Sequence, residues 1–147
     1  MGGRVEAGET RVTEVATELN ARCNAIEESY EFMLAYAAQG LPSDEGSASG
    51  GQIREYLHRC DAALTGLAEF LNGFVAHVAV QPVQPYHDFL SVLERDAGKA
   101  QAALRLVLAQ PSIGSQLIDN LNASIHLRAL LTDLFLVDEI LKTHRRS

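Results

Sequence analysis

Tryptophan is absent from this chain of 147 residues, and the chain has only two cysteines and four prolines. Two cysteines, Cys23 and Cys60, are too few for a disulfide framework and are typical of a reducing compartment. No apolar run is long enough to cross a bilayer, and the polar start at residues 1–11 is unlike a signal peptide. The sequence therefore predicts a cytoplasmic protein without a membrane partner.

Basic residues are also scarce. Twelve lysines and arginines face 19 acidic residues, so the formal net charge is −7. Phosphate binding needs a basic stripe, whereas the one basic cluster here is Lys142, Arg145 and Arg146 at the C-terminus. We expect that cluster to complement the negative end of the last helix. A nucleic-acid partner is therefore not expected.

Helical periodicity is what the chain has in abundance. Apolar residues recur every three to four positions over residues 11–38, 52–80, 86–110 and 115–143, and Gly or Pro interrupts the chain between these stretches. The pattern predicts an all-α protein with an antiparallel four-helix bundle as a single domain over residues 11–147. A domain of this size can bury a core without help from a metal or a disulfide.

Two segments outside the helical stretches predict flexibility. Residues 1–10 are rich in Gly and Glu and are expected to be disordered. Residues 40–51 are rich in Gly and Ser and predict a flexible loop between the first two helices, either a solvated crossover or a mobile, modifiable tether.

The apolar stripes also predict particular core residues. We expect the core to include Leu19, Ile26, Leu64, Leu71, Leu93 and Leu121. Gly66 and Gly73 lie seven residues apart in the second stretch, and this spacing predicts a close approach of a neighbouring helix.

Motifs for nucleophilic catalysis are missing. The chain has no Gly-x-Ser-x-Gly, and no glycine-rich turn follows a strand. Four polar residues share one stripe of the last helix: Asp119, Asn122, His126 and Asp133. This stripe could be an acid–base set, a polar ladder between subunits or a solvated outer face. The solvated face is favoured, so the sequence predicts a protein without a cofactor and without enzymatic activity.

One short pattern points to metal binding instead. Glu55 and His58 are spaced i and i+3, as are the Glu-x-x-His ligands of ferritin-like di-iron bundles, and a helical hairpin would bring Glu31 level with His58. The alternative function is therefore a ferritin-like metal-binding bundle or metalloenzyme. Because Glu55 and His58 lie beside the apolar stripe, a solvated position is the favoured interpretation, and no second Glu-x-x-His occurs.

The last helical stretch is apolar nearly all round between Leu127 and Val137. One bundle core covers a third to a half of a helix, so the remainder predicts contact with another protein or with a second copy. The expected contact residues are Leu127, Leu130, Leu131, Leu134, Phe135 and Val137. The favoured function is a non-enzymatic interaction module, such as an assembly chaperone, adaptor or accessory subunit. A third hypothesis places an apolar small molecule beside the small residues 97–103.

Overall fold

The computed structural model describes the backbone of residues 2–145 and the side chains of residues 14–143. This part of the chain is all-helical, without a strand, as predicted. Six helices follow one another: α1 Gly2–Ala38, α2 Ala48–Leu64, α3 Leu67–Val78, α4 Gln84–Leu108, α5 Ser115–Ala123 and α6 Ile125–Arg145. The side chains of Arg145 and Arg146 lie outside the described residues, so their expected interaction with the C-terminal end of the last helix stays a prediction.

Two predicted helices are each broken in two, which is why there are six helices rather than four. The second breaks at Gly66, whose φ of 72° is left-handed. Glycine adopts this conformation without the steric cost of a Cβ. The fourth breaks at Ser124, whose φ of −59° and ψ of 130° end α5. The predicted close approach at Gly66 and Gly73 is wrong, because a Cβ at either position would have no atom within 4 Å.

The N-terminal boundary differs from the predicted one. Helix α1 begins at Gly2 and so includes residues 2–10, which the sequence analysis assigned to a disordered segment. The side chains of residues 2–13 lie outside the described part of the chain, and whether they join the packed domain stays a prediction.

The connection between α1 and α2 is shorter and better packed than expected. It spans residues 39–47, because Ser47 caps α2 by accepting a hydrogen bond from the Gly50 amide at 2.9 Å. A Cβ at Gly50 would collide with the carbonyl oxygen of Asp44, and one at Gly114 would lie 2.8 Å from the carbonyl oxygen of Pro42. The loop therefore contacts α2 and the α4–α5 turn, and the predicted flexible loop is not confirmed.

The helices pack around one continuous core. Helix α1 contacts α2 and α5, while α4 contacts α2, α3 and α6. Phe32 stacks on Tyr56 at 4.2 Å between ring centroids, and Arg22 reaches the C-terminal end of α2, so α1 and α2 are antiparallel. All six predicted core residues are buried: Leu19, Ile26, Leu64, Leu71, Leu93 and Leu121. Fully burying a leucine contributes about 1.5–3 kcal/mol.

Candidate functional site: an apolar groove between α4 and α6

Helix α6 turns most of its predicted contact residues toward the chain's own core. Leu127, Leu130, Leu131, Leu134 and Val137 are all buried, and Leu130 is completely inaccessible to solvent. The physical reason is that α6 has neighbours on several sides, since α4, α5 and α1 all contact it. Of the six predicted residues, only Phe135 is exposed, at 50%.

The exposed apolar surface of α6 lies elsewhere. Leu136 is 49% exposed and Ile140 is 45% exposed, although neither was among the predicted contact residues. Both line an apolar groove of about 330 Å³. We call this surface the α4–α6 groove, and its lining residues are Val75, Pro85, Tyr86, Phe89, Leu90, Leu136, Val137, Ile140 and Leu141.

Local sequence explains how α4 supplies its side of the groove. Pro85 lies in the first turn of α4, where a missing amide donor costs no helical hydrogen bond. Tyr86, Phe89 and Leu90 follow at helical spacing, and the two aromatic rings are half-buried. Val75 of α3 adds a buried aliphatic side chain. The groove thus has buried aliphatic residues beneath it and exposed or half-buried ones at its mouth.

A pair of carboxyl groups joins the same two helices. The carboxyl group of Asp133 on α6 lies beside that of Asp96 on α4. Partial burial, and then the nearby Asp96, raise the pKa of Asp133 to about 7. The Oδ2 atom of Asp133 is buried and has no hydrogen-bond partner. We call Asp96 and Asp133 the carboxyl pair.

Helical spacing connects the carboxyl pair to the groove. Phe89, Val92 and Asp96 lie at i, i+3 and i+7 on α4, so they share one flank of that helix. Asp133, Leu136 and Ile140 have the same spacing on α6. The contacts of the groove and of the carboxyl pair show that α4 and α6 are antiparallel. The carboxyl pair therefore lies about one to two helical turns from the groove along the same flank.

The candidate metal ligands are not assembled. Glu31, Glu55 and His58 are all exposed, and Glu55 accepts a hydrogen bond from Arg59 at 2.7 Å. Within the described side chains, no three His, Cys, Asp or Glu residues are grouped so that they could hold a metal ion. The metal-binding alternative therefore has no ligand set in this part of the chain.

The polar stripe of the last predicted helix is divided by the break at Ser124. Asp119 and His126 are exposed, whereas Asn122 is buried and neither of its amide atoms has a hydrogen-bond partner. Asp133 lies beside Asp96 of α4 instead. The four residues therefore do not form one continuous stripe within the chain, and a ladder between subunits stays a prediction.

The two cysteines are buried and form no disulfide. Burial, with a smaller contribution from the neighbouring Asp61, raises the pKa of the Cys60 thiol to about 12. Because the thiolate is the nucleophile, Cys60 is chemically inert at neutral pH.

The sequence did not predict a hydrogen-bonded cluster that forms around Arg54 and Asp44. The Arg54 guanidinium donates to Asp44 at 2.9 Å and to the carbonyl oxygens of Leu108 and Gln110 at the end of α4. Asp44 also accepts from the Ile113 amide at 2.7 Å, and this bond is the largest cause of its lowered pKa. No motif marks these residues, because the cluster forms only after the loop docks.

Tyr36 and Ser115 extend this cluster into the core. The Tyr36 hydroxyl donates to the Ile113 carbonyl at 2.7 Å, and Ser115 donates to the Tyr36 carbonyl at 2.6 Å. Ser115 also accepts from the Leu41 amide at 2.8 Å. Since these groups bond to one another, the cluster serves to hold elements together rather than to bind a ligand.

A second cavity lies beside the small residues of α4. It measures about 260 Å³ and includes Gly66, Ala97 and Gly98. Glu69, Glu94 and Gln101 also line it. Leu64, Leu67 and Ala68 complete a mixed polar and apolar lining, so the apolar small molecule hypothesised for residues 97–103 stays a hypothesis.

None of the helices in the described part of the chain combines the length and apolar character needed to cross a membrane. The chain matches no family model, no curated protein and no solved structure. Conclusions about function therefore depend on the physical chemistry of the α4–α6 groove.

Proposed function

We propose that this chain is a non-enzymatic interaction module that binds a protein partner through the α4–α6 groove. The role would be that of a cytoplasmic assembly chaperone, adaptor or accessory subunit built on an antiparallel helical bundle. The observation that carries the proposal is the exposure of Leu136 and Ile140 at the mouth of an otherwise apolar groove. Apolar residues gathered over a concave surface are typical of interaction sites.

The energetics favour a covered groove. Each Å² of apolar surface removed from water contributes about 25 cal/mol, and grooves of this kind accept the apolar face of an amphipathic helix. The half-buried rings of Tyr86 and Phe89 add aromatic residues, which are enriched among the residues that dominate binding energy.

A double variant tests the proposal. Leu136→Asp with Ile140→Asp places two charges at the groove, and both positions are already solvent-exposed, so the fold is expected to survive. The matched control is Leu106→Asp, because Leu106 is 66% exposed and lies about 24 Å along α4 from Leu90, the last groove residue of that helix. Affinity purification from native lysate and circular dichroism are measured on all three proteins.

The expected result is a partner retained by the unaltered chain and by Leu106→Asp but lost from the double variant, with unchanged helical spectra. Recovery of the same partner with all three proteins would contradict the proposal. Sedimentation velocity tests whether the partner is a second copy of the chain. Self-association through the groove would also be lost only in the double variant.

A further inference from the structure

We propose, building on the proposed function, that the partner is a second copy of this chain, whose α6 packs antiparallel against α6 about a twofold axis. Two features of α6 carry the proposal. One is a stripe without charges along the exposed face of the helix. The other is an arginine and a glutamate beside that stripe, which become complementary only when the second helix runs in the opposite direction.

The exposed apolar residues of the described side chains are concentrated on α6. Four of the seven large apolar side chains that are exposed lie on this helix: Ile125, Phe135, Leu136 and Ile140. Ile125 is the most exposed of the seven, at 74%, and lies at the end of α6 away from the groove. The apolar face that a partner would cover is therefore longer than the α4–α6 groove.

A single stripe runs along this exposed face. Its residues follow one another at intervals of three or four positions, so they share about a quarter of the helix circumference. We call it the α6 stripe, and it consists of Ile125, Ala129, Thr132, Leu136, Ile140 and Thr143. None of the six carries a charge. The two threonine hydroxyls donate to carbonyl oxygens of their own helix, so covering the stripe leaves neither hydroxyl without an acceptor.

The α6 stripe defines the register of two such helices. Its midpoint is at the level of residue 134, and a twofold axis there places Ile125 level with Thr143 of the second copy. The same axis places Thr132 level with Leu136 of the second copy. Each stripe residue thus meets another stripe residue, and the intervals of three and four are those at which two helices interlock their side chains. Leu136 and Ile140 belong to both surfaces, so the stripe is continuous with the α4–α6 groove.

Charges beside the stripe match in this register. Arg128 and Glu139 lie on the same flank of the α6 stripe, and both are exposed. Arg128 of one copy would be offset from Glu139 of the other by about 1.5 Å along the helix axis, and the twofold axis forms this pair twice. Arg128 takes part in none of the ion pairs of the described side chains, while Glu139 meets Lys142 at 3.7 Å on the surface. A parallel pair would instead place like charges opposite each other.

The remaining acidic charge does not reverse this preference. The net charge of −7 makes two copies repel each other at long range, but salt at about 0.15 M screens charges that are more than about 8 Å apart. Asp133 lies on the other flank of the α6 stripe, beside Asp96 of its own chain, so its carboxyl group is turned toward α4. The flank with Arg128 and Glu139 therefore sets the direction of the second helix.

Charge reversal tests this arrangement. Arg128→Glu makes glutamate face glutamate across each contact, and Glu139→Arg makes arginine face arginine, so each variant alone should lose the dimer. An equimolar mixture of the two variants restores opposite charges in a heterodimer. The matched control is Glu55→Arg, which makes the same change of charge at an exposed site on α2, a helix that packs against α1 and α4. Sedimentation velocity over a range of concentrations measures association, and circular dichroism checks the fold.

We expect the unaltered chain and Glu55→Arg to dimerise, and each reversal on α6 to weaken self-association at least about tenfold. The mixture should recover the dimer. So should the double variant Arg128→Glu with Glu139→Arg, which exchanges the two charges within one chain. A dimer that neither reversal weakens, or folded variants whose mixture stays monomeric, would overturn the antiparallel pairing of α6.

The proposed function is tested separately by the Leu136→Asp and Ile140→Asp variant. If the unaltered chain is a monomer at every concentration, the second copy is overturned as the occupant. Loss of a different partner in that variant would then still support an interaction module. If a dimer persists in that variant, its interface lies outside the α6 stripe, and the second copy is again overturned as the occupant of the groove.

Discussion

Asp133 shows how a tertiary contact alters the chemistry of a single side chain. Its carboxyl group would be solvated in an isolated helix, but in the folded chain it is partly buried and lies beside Asp96. The folded protein therefore holds a proton on this group at pH values where an unfolded chain has released it. Such retention links the stability of the fold to pH.

The Asp133→Asn variant tests this linkage. The folded pKa of Asp133 is about 7 and lies above the ordinary value of 3.8, so its favourable contribution is complete below the ordinary value and is lost as the pH rises through 7. We expect the variant to have a higher Tm than the unaltered chain at pH 8, and this advantage should vanish toward pH 4. Thermal unfolding followed by circular dichroism measures the effect.

Asp119→Asn is the control for that experiment, because Asp119 is an exposed carboxylate on α5. Its Tm should track that of the unaltered chain at every pH. A lower Tm for Asp133→Asn at pH 8 would show that the charged carboxyl pair stabilises the fold, contrary to this account.

At the scale of the element, the breaks in the helices depend on backbone conformation more than on apolar pattern. The apolar stripe runs through Gly66 without interruption, and for that reason periodicity predicted one helix where α2 and α3 lie. The left-handed φ of 72° at Gly66 is a local backbone conformation, and the apolar pattern does not predict it.

Gly66→Ala and Gly73→Ala should therefore have opposite effects. Both sites have open space where a Cβ would lie, so only backbone conformation separates them. Alanine at Gly66 must adopt the left-handed region and should destabilise the fold by about 1–2 kcal/mol. Alanine at Gly73, inside α3, should stabilise it by about 0.5–1 kcal/mol. Urea denaturation measures both, and equal signs would contradict the assignment.

The helices that pack around α6 decide which of its apolar residues are exposed. Sequence alone identified an excess of apolar residues, but Leu130 is inaccessible while Leu136 is 49% exposed. A charge at Leu130 would consequently unfold the chain, and it cannot serve as a probe of association. The exposed positions depend on which neighbouring helices cover α6, and helical periodicity carries no information about those neighbours.

At the scale of the whole molecule, the loop of residues 39–47 joins distant parts of the chain. Asp44 links the loop to Arg54 of α2 and to the Ile113 amide of the α4–α5 turn. The hydrogen bond from the Ile113 amide is the largest cause of the lowered pKa of Asp44, and the Arg54 side chain lowers that pKa further. Burial opposes both effects. The stabilisation is thus present above the ordinary pKa of the carboxyl group and is lost as the pH falls.

Asp44→Ala should therefore destabilise the molecule by about 1–3 kcal/mol at neutral pH, because it leaves the Ile113 amide and Arg54 without their acceptor. The control is Glu45→Ala, since Glu45 is the adjacent residue and its side chain is exposed. That change should cost less than about 0.5 kcal/mol. Denaturant unfolding measures both, and comparable losses would mean that the loop is not held through Asp44.

The sequence by itself determined the helical class and the core. Leu19, Leu71 and Leu93 are buried as expected, because a 3.6-residue stripe is a local property that survives in any packing of the helices. The sequence also placed all four prolines outside the helices, since proline removes an amide donor. This is confirmed for Pro42, Pro82 and Pro111 but wrong for Pro85, which lies in the first turn of α4, where no helical hydrogen bond is lost.

Only the tertiary structure decided where the candidate site lies. The contact of Asp96 with Asp133 and the docking of Asp44 join residues that are far apart in the chain. The exposure of Leu136 and Ile140 likewise depends on which distant helices cover α6. Such contacts depend on which helix faces are left uncovered and on how the breaks at Gly66 and Ser124 redirect the chain. A stripe of apolar residues specifies that a face must be buried, but the arrangement of neighbouring helices specifies which part of the helix remains in water.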